Sequence, residues 1–245
     1  MKKSRKILIG ILICVIIGSV FYIGYYYVTQ NKNEKVYKKL QKEVVKQESK
    51  EEEPQTEESH VEIPIDFAQL QAQNPDIYAW IQIDGTNINY PVAQSATDNE
   101  YYLNHNFYQE QHITGCVFAD SSAVPLAVDN TVLYGHNMKD GSMFAGLKQY
   151  GEEAFFRENP VIQIFYRGKW VECPVFSCQI RHQSDAGAYG TNFMEEEWLP
   201  YLEKMGAASL YETGITPGGD EKLITLSTCY GKDQYLIVQA LLRGM

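Results

Sequence analysis

The sequence predicts a mostly β domain, a largely antiparallel closed or nearly closed barrel with peripheral helices, behind an N-terminal transmembrane helix. Three features point there. Short runs rich in Val, Ile, Tyr and Phe recur from residue 77 to residue 243, separated by Gly, Asn and Asp turn signals. Few segments carry helical spacing. The chain also opens on one long apolar run without a charge.

That run, Ile7 to Val28, reads ILIGILICVIIGSVFYIGYYYV. At 1.5 Å per residue it spans about 33 Å as a helix, enough to cross the hydrocarbon core of a bilayer. Lys2, Lys3, Arg5 and Lys6 precede it, which predicts a cytoplasmic N-terminus and an extracellular remainder. Tyr25, Tyr26 and Tyr27 fall where an aromatic belt meets the outer interface. A cleaved signal peptide would have an apolar core of about 7–15 residues and a small-x-small site. This run is longer and ends in bulky tyrosines, so an uncleaved anchor is expected.

Residues 29–60 are rich in Lys and Glu, with Glu51, Glu52 and Glu53 before Pro54. The first part can form an exposed helix; the later part has too little apolar area to fold. The expected organisation is a basic cytoplasmic segment (1–6), an anchor (7–28), a charged stalk (29–60) and a catalytic domain (61–245). The chain has a net charge of −10, and the acidic excess falls on 61–245. Such a domain repels phosphate backbones, which excludes nucleic acid as a natural partner.

Within the domain, residues 64–73 place Phe67 and Leu70 at helical spacing behind Asp66, and Asn74-Pro75 ends the helix. WIQIDG and NINYPV alternate as strands around the turn Asp84-Gly85-Thr86. Further strands are expected at 115–120, 130–136, 161–168, 169–181, 222–229 and 235–243. Residues 141–149 and 194–210 read as helices. The second places Trp198, Leu199, Leu202 and Met205 largely on one face, behind Glu195, Glu196 and Glu197.

Of the cysteines, Cys14 lies in the apolar run, and Cys116, Cys173 and Cys178 read as small buried residues on strands. A disulfide among those three stays open. No CxxC, no zinc-like Cys/His cluster and no calcium-loop spacing occurs, so no cofactor or metal is implied.

Cys229 differs. In KLITLSTC, period-two alternation puts Leu223, Thr225, Ser227 and Cys229 on one face, and Cys229 ends the strand before the polar loop Tyr230-Gly231-Lys232-Asp233. A thiol at a strand mouth is accessible. His136 likewise ends the apolar strand NTVLYGH. A thiol beside an imidazole is the minimum set for acyl transfer through a thioester. Spacing alone leaves open whether the two ends meet.

Several segments together resemble the sortases, class B in particular. TLSTC (225–229) resembles their nucleophile strand and YGHNM (134–138) their histidine strand. NPDIYAWIQIDGTNINYPVAQ (74–94), Asp98-Asn99 with Tyr102-Leu103, and Gly115, Phe118 and Asp120 fit in the same order. The resemblance covers nearly all of 65–242. It implies a membrane-anchored cysteine transpeptidase in which Cys229 attacks the Thr carbonyl of an NPxT-like sorting signal. His136 serves as general acid and then base, and an amine of the cell wall or of a pilin accepts the acyl group. It also implies that Asn99, Tyr134, Ser227 and Thr228 line the substrate groove, although packing alone would equally account for Tyr134 and Ser227.

One position departs. The resemblance calls for an Arg at the start of the last strand to hold the substrate carbonyl, and Tyr235 stands there instead. Arg243 shares its strand parity but lies about 27 Å further along. Lys232, Arg181 and Arg157 remain possible substitutes, as does the Tyr235 hydroxyl with a backbone N–H. Two rival readings follow: a hydrolytic cysteine peptidase on the same scaffold, and a weakened surface binding module.

Overall fold

A computed structural model describes residues 2–45, 65–121, 124 and 126–243. The chain divides into two units, one ending at Leu40 and the other beginning at Gln41. The first is built on helix α1 (Lys2–Val45). Its stretch from Ile7 to Lys42 is long and apolar enough to cross a membrane. Two hydroxyls along it bond within the helix: Ser19 Oγ donates to Val15 O (2.9 Å) and Thr29 Oγ1 to Tyr25 O (2.7 Å). The helix passes residue 28, where the anchor was expected to end, because the Lys and Glu residues that follow are good helix formers. Residues 46–60 of the expected stalk lie outside the described residues.

Past the end of α1, the second unit continues with α2 (Phe67–Gln73), which starts where Asp66 Oδ1 accepts the Gln69 N–H at 2.9 Å. Eight strands follow: β1 (Ile77–Gln82), β2 (Asn89–Ala93), β3 (Val117–Ala119), β4 (Asn130–Tyr134), β5 (Val161–Tyr166), β6 (Lys169–His182), β7 (Lys222–Cys229) and β8 (Gln234–Leu242). They close into a barrel in the order β1-β2-β3-β4-β7-β8-β6-β5. Two contacts, β2–β3 and β4–β7, are parallel, and the others are antiparallel.

Helical segments sit around this barrel. Residues 141–149 were expected to form a helix. The structure has a 3₁₀ segment later, at Phe144–Gly151, after Gly141 and Met143 both take positive φ (84° and 55°) and break the helical path. The short helix α3 (Glu153–Glu158) and a 3₁₀ turn at Tyr101–Leu103 have no periodic signal in the sequence. Helix α4 (Glu195–Ala207) carries three acids in its first turn, against the positive pole of the helix. Its Trp198, Leu202 and Met205 pack on Phe176, Leu223, Ile237 and Leu241. Leu199 lies about 100° away from Trp198 on the helix and is 40% exposed, so it leaves the face expected for it. This packing shows that the Leu223 face of β7, which also carries Cys229, is the outer face of the barrel.

Gly135, between Tyr134 and His136, lets the 3₁₀ segment sit against the end of β4. A Cβ there would lie 2.6 Å from Cγ of the fully buried Phe144, whose N–H donates to His136 O at 2.9 Å. Gly135→Ala is expected to destabilise the domain by roughly 1–3 kcal/mol through overpacking, read as a lower urea midpoint with unchanged m-value.

Candidate active site

The parallel contact between β4 and β7 sets the geometry. Asn130 lies opposite Leu223 and Tyr134 opposite Ser227, with no break in register. The pairing continues beyond β4: the Gly135 N–H donates to Ser227 O (3.3 Å), and Thr228 Oγ1 donates to Gly135 O (2.7 Å). His136 is two residues past Tyr134, and Cys229 is two past Ser227, so the same register sets them side by side on one face. Asn137 fastens the junction, its Nδ2 donating to the Cys229 carbonyl at 2.6 Å. On the other side, Cys229 stands directly opposite Tyr235 in β8. His136, just beyond the end of β4, thus falls in line with Cys229 of β7 and Tyr235 of β8.

His136 Nε2 lies 2.7 Å from the carbonyl oxygen of Leu103. A carbonyl only accepts, so Nε2 carries a hydrogen, and in the neutral ring Nδ1 is then the acceptor. Sequence reasoning passed over this partner, because a backbone carbonyl leaves no residue signature.

Cys229, His136, Asn99, Tyr134, Ser227, Thr228 and Tyr235 all line one cleft of about 370 Å³. That volume is within the range of a specific ligand site. Tyr189 also lines it and was not singled out from the sequence, since it stands in an aperiodic loop. Its ring stacks on Tyr134 with centroids 6.1 Å apart, and its hydroxyl lies 2.9 Å from Ser227 Oγ. Burial, with Tyr189, Asp120 and Tyr235 nearby, pushes the Tyr134 hydroxyl well up, so it stays protonated. Ser227 and Thr228 are nearly buried and spend their hydroxyls on Tyr189 and Gly135, so each shapes the cleft through packing and hydrogen bonding.

No Lys or Arg among the described residues lines the cleft. Arg157 bonds Glu153 on α3 (3.0 Å), and Arg243 pairs with Glu221 at the far end of the sheet. Arg181, opposite Tyr235 in β6, bonds Gln179 (2.6 Å) and Asp185 (2.8 Å). Lys232 is exposed in the β7–β8 turn. A phenol, not a guanidinium, therefore stands beside Cys229. A larger hollow of about 750 Å³, lined by Lys222, Arg243 and Glu221, lies at the opposite end of these strands, and no Cys, Ser or His is among its lining residues. Among the described residues, no group of three or more His, Cys, Asp or Glu comes together as a metal site.

The sortase domain family matches residues 81–243 of the chain. Sortase B of Listeria monocytogenes is 35% identical over 176 residues, covering 71% of this chain and 71% of that protein. Sortase B of Staphylococcus aureus is 29% identical over 231 residues, covering 94% and 91%. The structure of Bacillus anthracis sortase B in complex with AAEK1 superposes with a TM-score of 0.73 at 33% identity, covering 88% of this chain and 98% of that one. A Staphylococcus aureus sortase B–substrate complex superposes with a TM-score of 0.71 at 27% identity, covering 87% and 95%.

None of the cysteines of the second unit is joined in a disulfide, and they differ in exposure. Cys229 is exposed, while Cys116, Cys173 and Cys178 are buried. Burial raises the Cys173 thiol strongly and pushes Cys178 up to about 12. Both buried thiols therefore stay protonated at neutral pH, and a protonated thiol is a poor nucleophile. Iodoacetamide followed by peptide mass mapping is expected to label Cys229 first, and Cys173 and Cys178 only after unfolding.

Proposed function

The chain belongs to the sortase family as a class B member, a cysteine transpeptidase, and on that premise we propose that Cys229 is its nucleophile and His136 its proton-transfer partner. The observation that carries this reading is the β4–β7 register, which sets the two side by side with Leu103 O holding the imidazole tautomer. Cys229 gives its proton to His136, and the resulting thiolate attacks the carbonyl carbon of the Thr in an NPxT-type sorting signal. The C–N bond then breaks, His136 gives the leaving amine its proton, and the acyl group stays on sulfur as a thioester. An incoming amine attacks that thioester and gives its proton to His136. The new amide leaves, and thiol and imidazole are restored.

The oxyanion formed in each step needs a donor, and Tyr235, directly opposite Cys229, is assigned that task. Asn99, Tyr134, Ser227 and Thr228 shape the groove that receives the peptide. The acceptor amine belongs to a cell-wall peptide or to a pilin lysine. The N-terminal helix anchors the enzyme with Lys2, Lys3, Arg5 and Lys6 on the cytoplasmic side, and residues 29–60 space the domain (61–245) from the outer surface.

The test uses the full chain in detergent, NPxT- and LPxT-type peptides with and without an amine, and mass spectrometry. Wild type is expected to show a thioester adduct on Cys229 and an amine-linked product, and Cys229→Ala neither. His136→Ala is expected to slow turnover by roughly 10²–10⁴-fold. Tyr235→Phe is expected to lower kcat by roughly 10²-fold, as loss of one oxyanion donor does elsewhere. Product formed at the same rate with or without amine would make the enzyme a hydrolase. No adduct on any peptide from the folded chain would leave a binding module.

A further inference from the structure

Behind the cleft wall runs a series of buried polar side chains that the proposed chemistry does not use. Asn130, Thr225 and Gln239 are fully buried and Gln179 is 1% exposed. Polar groups in such places are costly unless each is bonded. Here they are bonded in series. Arg181 Nε donates to Gln179 Oε1 (2.6 Å), and Gln179 Nε2 to Gln239 Oε1 (3.0 Å). Gln239 Nε2 donates to Thr225 Oγ1 (3.0 Å), and Thr225 Oγ1 to Asn130 Oδ1 (2.7 Å). Asn130 Nδ2 then donates to the carbonyls of Gly190 (2.8 Å) and Ala188 (3.2 Å).

The direction of this series is fixed from both ends, since the carbonyls of Met205, Ala188 and Gly190, which accept from Gln179 and Asn130, have no hydrogen to give. A guanidinium has only donors, so Gln179 must turn its oxygen toward Arg181, and each later group is then oriented in turn. Bonds polarised in one sense reinforce one another. The series starts at a cation and ends on the two carbonyls flanking Tyr189, the residue that walls the cleft. The same cation holds the start of that loop. Arg181, whose side chain is 11% exposed, bonds Asp185 Oδ2 at 2.8 Å, and Asp185 Oδ1 accepts the Gly187 N–H at 2.9 Å.

We propose that Arg181, Gln179, Gln239, Thr225 and Asn130 are positioning residues that together fix Tyr189 as a rigid wall of the peptide cleft. The device rests on the reading of that cleft as the signal-peptide site. It acts on substrate binding and leaves the thiol chemistry alone.

The experiment compares Thr225→Val, which removes the hydroxyl but keeps the shape, with Thr225→Ser, which keeps the hydroxyl, in the full chain in detergent. Thr225→Val is expected to raise KM for the NPxT-type peptide about tenfold, with kcat within about twofold and Cys229 alkylation unchanged. Thr225→Ser stays within about twofold of wild type. Amide exchange at residues 186–190 is expected to speed up about tenfold in the Val variant only. Arg181→Met, at the outer end of the series, gives the same pattern and stands in should the Val variant not fold. Unchanged KM and exchange in both variants, or equal damage from Val and Ser, would overturn the device. A wild type that forms no thioester with any peptide would sink the transpeptidase reading instead, and the exchange measurement alone would then decide the device.

Discussion

Parallel pairing of β4 with β7 places His136 beside Cys229, and the rest of the site is arranged around that contact. Side chains alternate along a strand, so a slip of one residue would turn either group onto the other face. The register is held on both sides. Leu223 packs outward against Trp198 and Leu202 of α4, while Ile224 and Leu226 are fully buried on the alternate face. Antiparallel β8 then adds Tyr235 opposite Cys229 and extends the row. Asn137 and Thr228 tie the strand ends together beyond the regular ladder.

The site's polar character follows from what surrounds that row. Leu103 O takes one imidazole nitrogen, and Tyr189 takes the Ser227 hydroxyl. Tyr134, Tyr189 and Tyr235 bring phenols to the cleft, and burial keeps those of Tyr134 and Tyr189 protonated. Positive charge stays behind the wall, where Arg181 is committed to Gln179 and Asp185. The cleft therefore presents phenols, with Glu100 and Asp120 also in its lining, where a guanidinium was the expectation from resemblance.

Much of this was legible in the sequence because strands write themselves in period two. The β1–β2 hairpin, β5 through β8 and the α4 helix fall close to the expected segments. Strand partners did not: alternation says which residues share a face but not which strands adjoin, so the parallel β4–β7 contact had to be seen. The 3₁₀ segment at Phe144–Gly151 escaped because positive φ at Gly141 and Met143 depends on packing, notably the Tyr90 hydroxyl that bonds the Met143 N–H at 3.2 Å. Leu103 and Tyr189 reach the site through a backbone carbonyl and an aperiodic loop, which leave no pattern to read. Thr225 and Gln239 share the outward face of Leu223 and Leu241, which packs against α4, and only the bonded series explains why they are polar and buried there.

The most direct test of the central claim, that Cys229 and His136 face each other as a working pair, is cross-linking of the full chain with 1,3-dibromoacetone. The reagent alkylates a thiol at one end and an adjacent imidazole at the other, losing two bromides. Mass spectrometry of the digest is predicted to find the Cys229 and His136 peptides joined by one bridge. Cys229 modified at a single end, with His136 only on an unlinked peptide, would contradict the pairing on which the account stands.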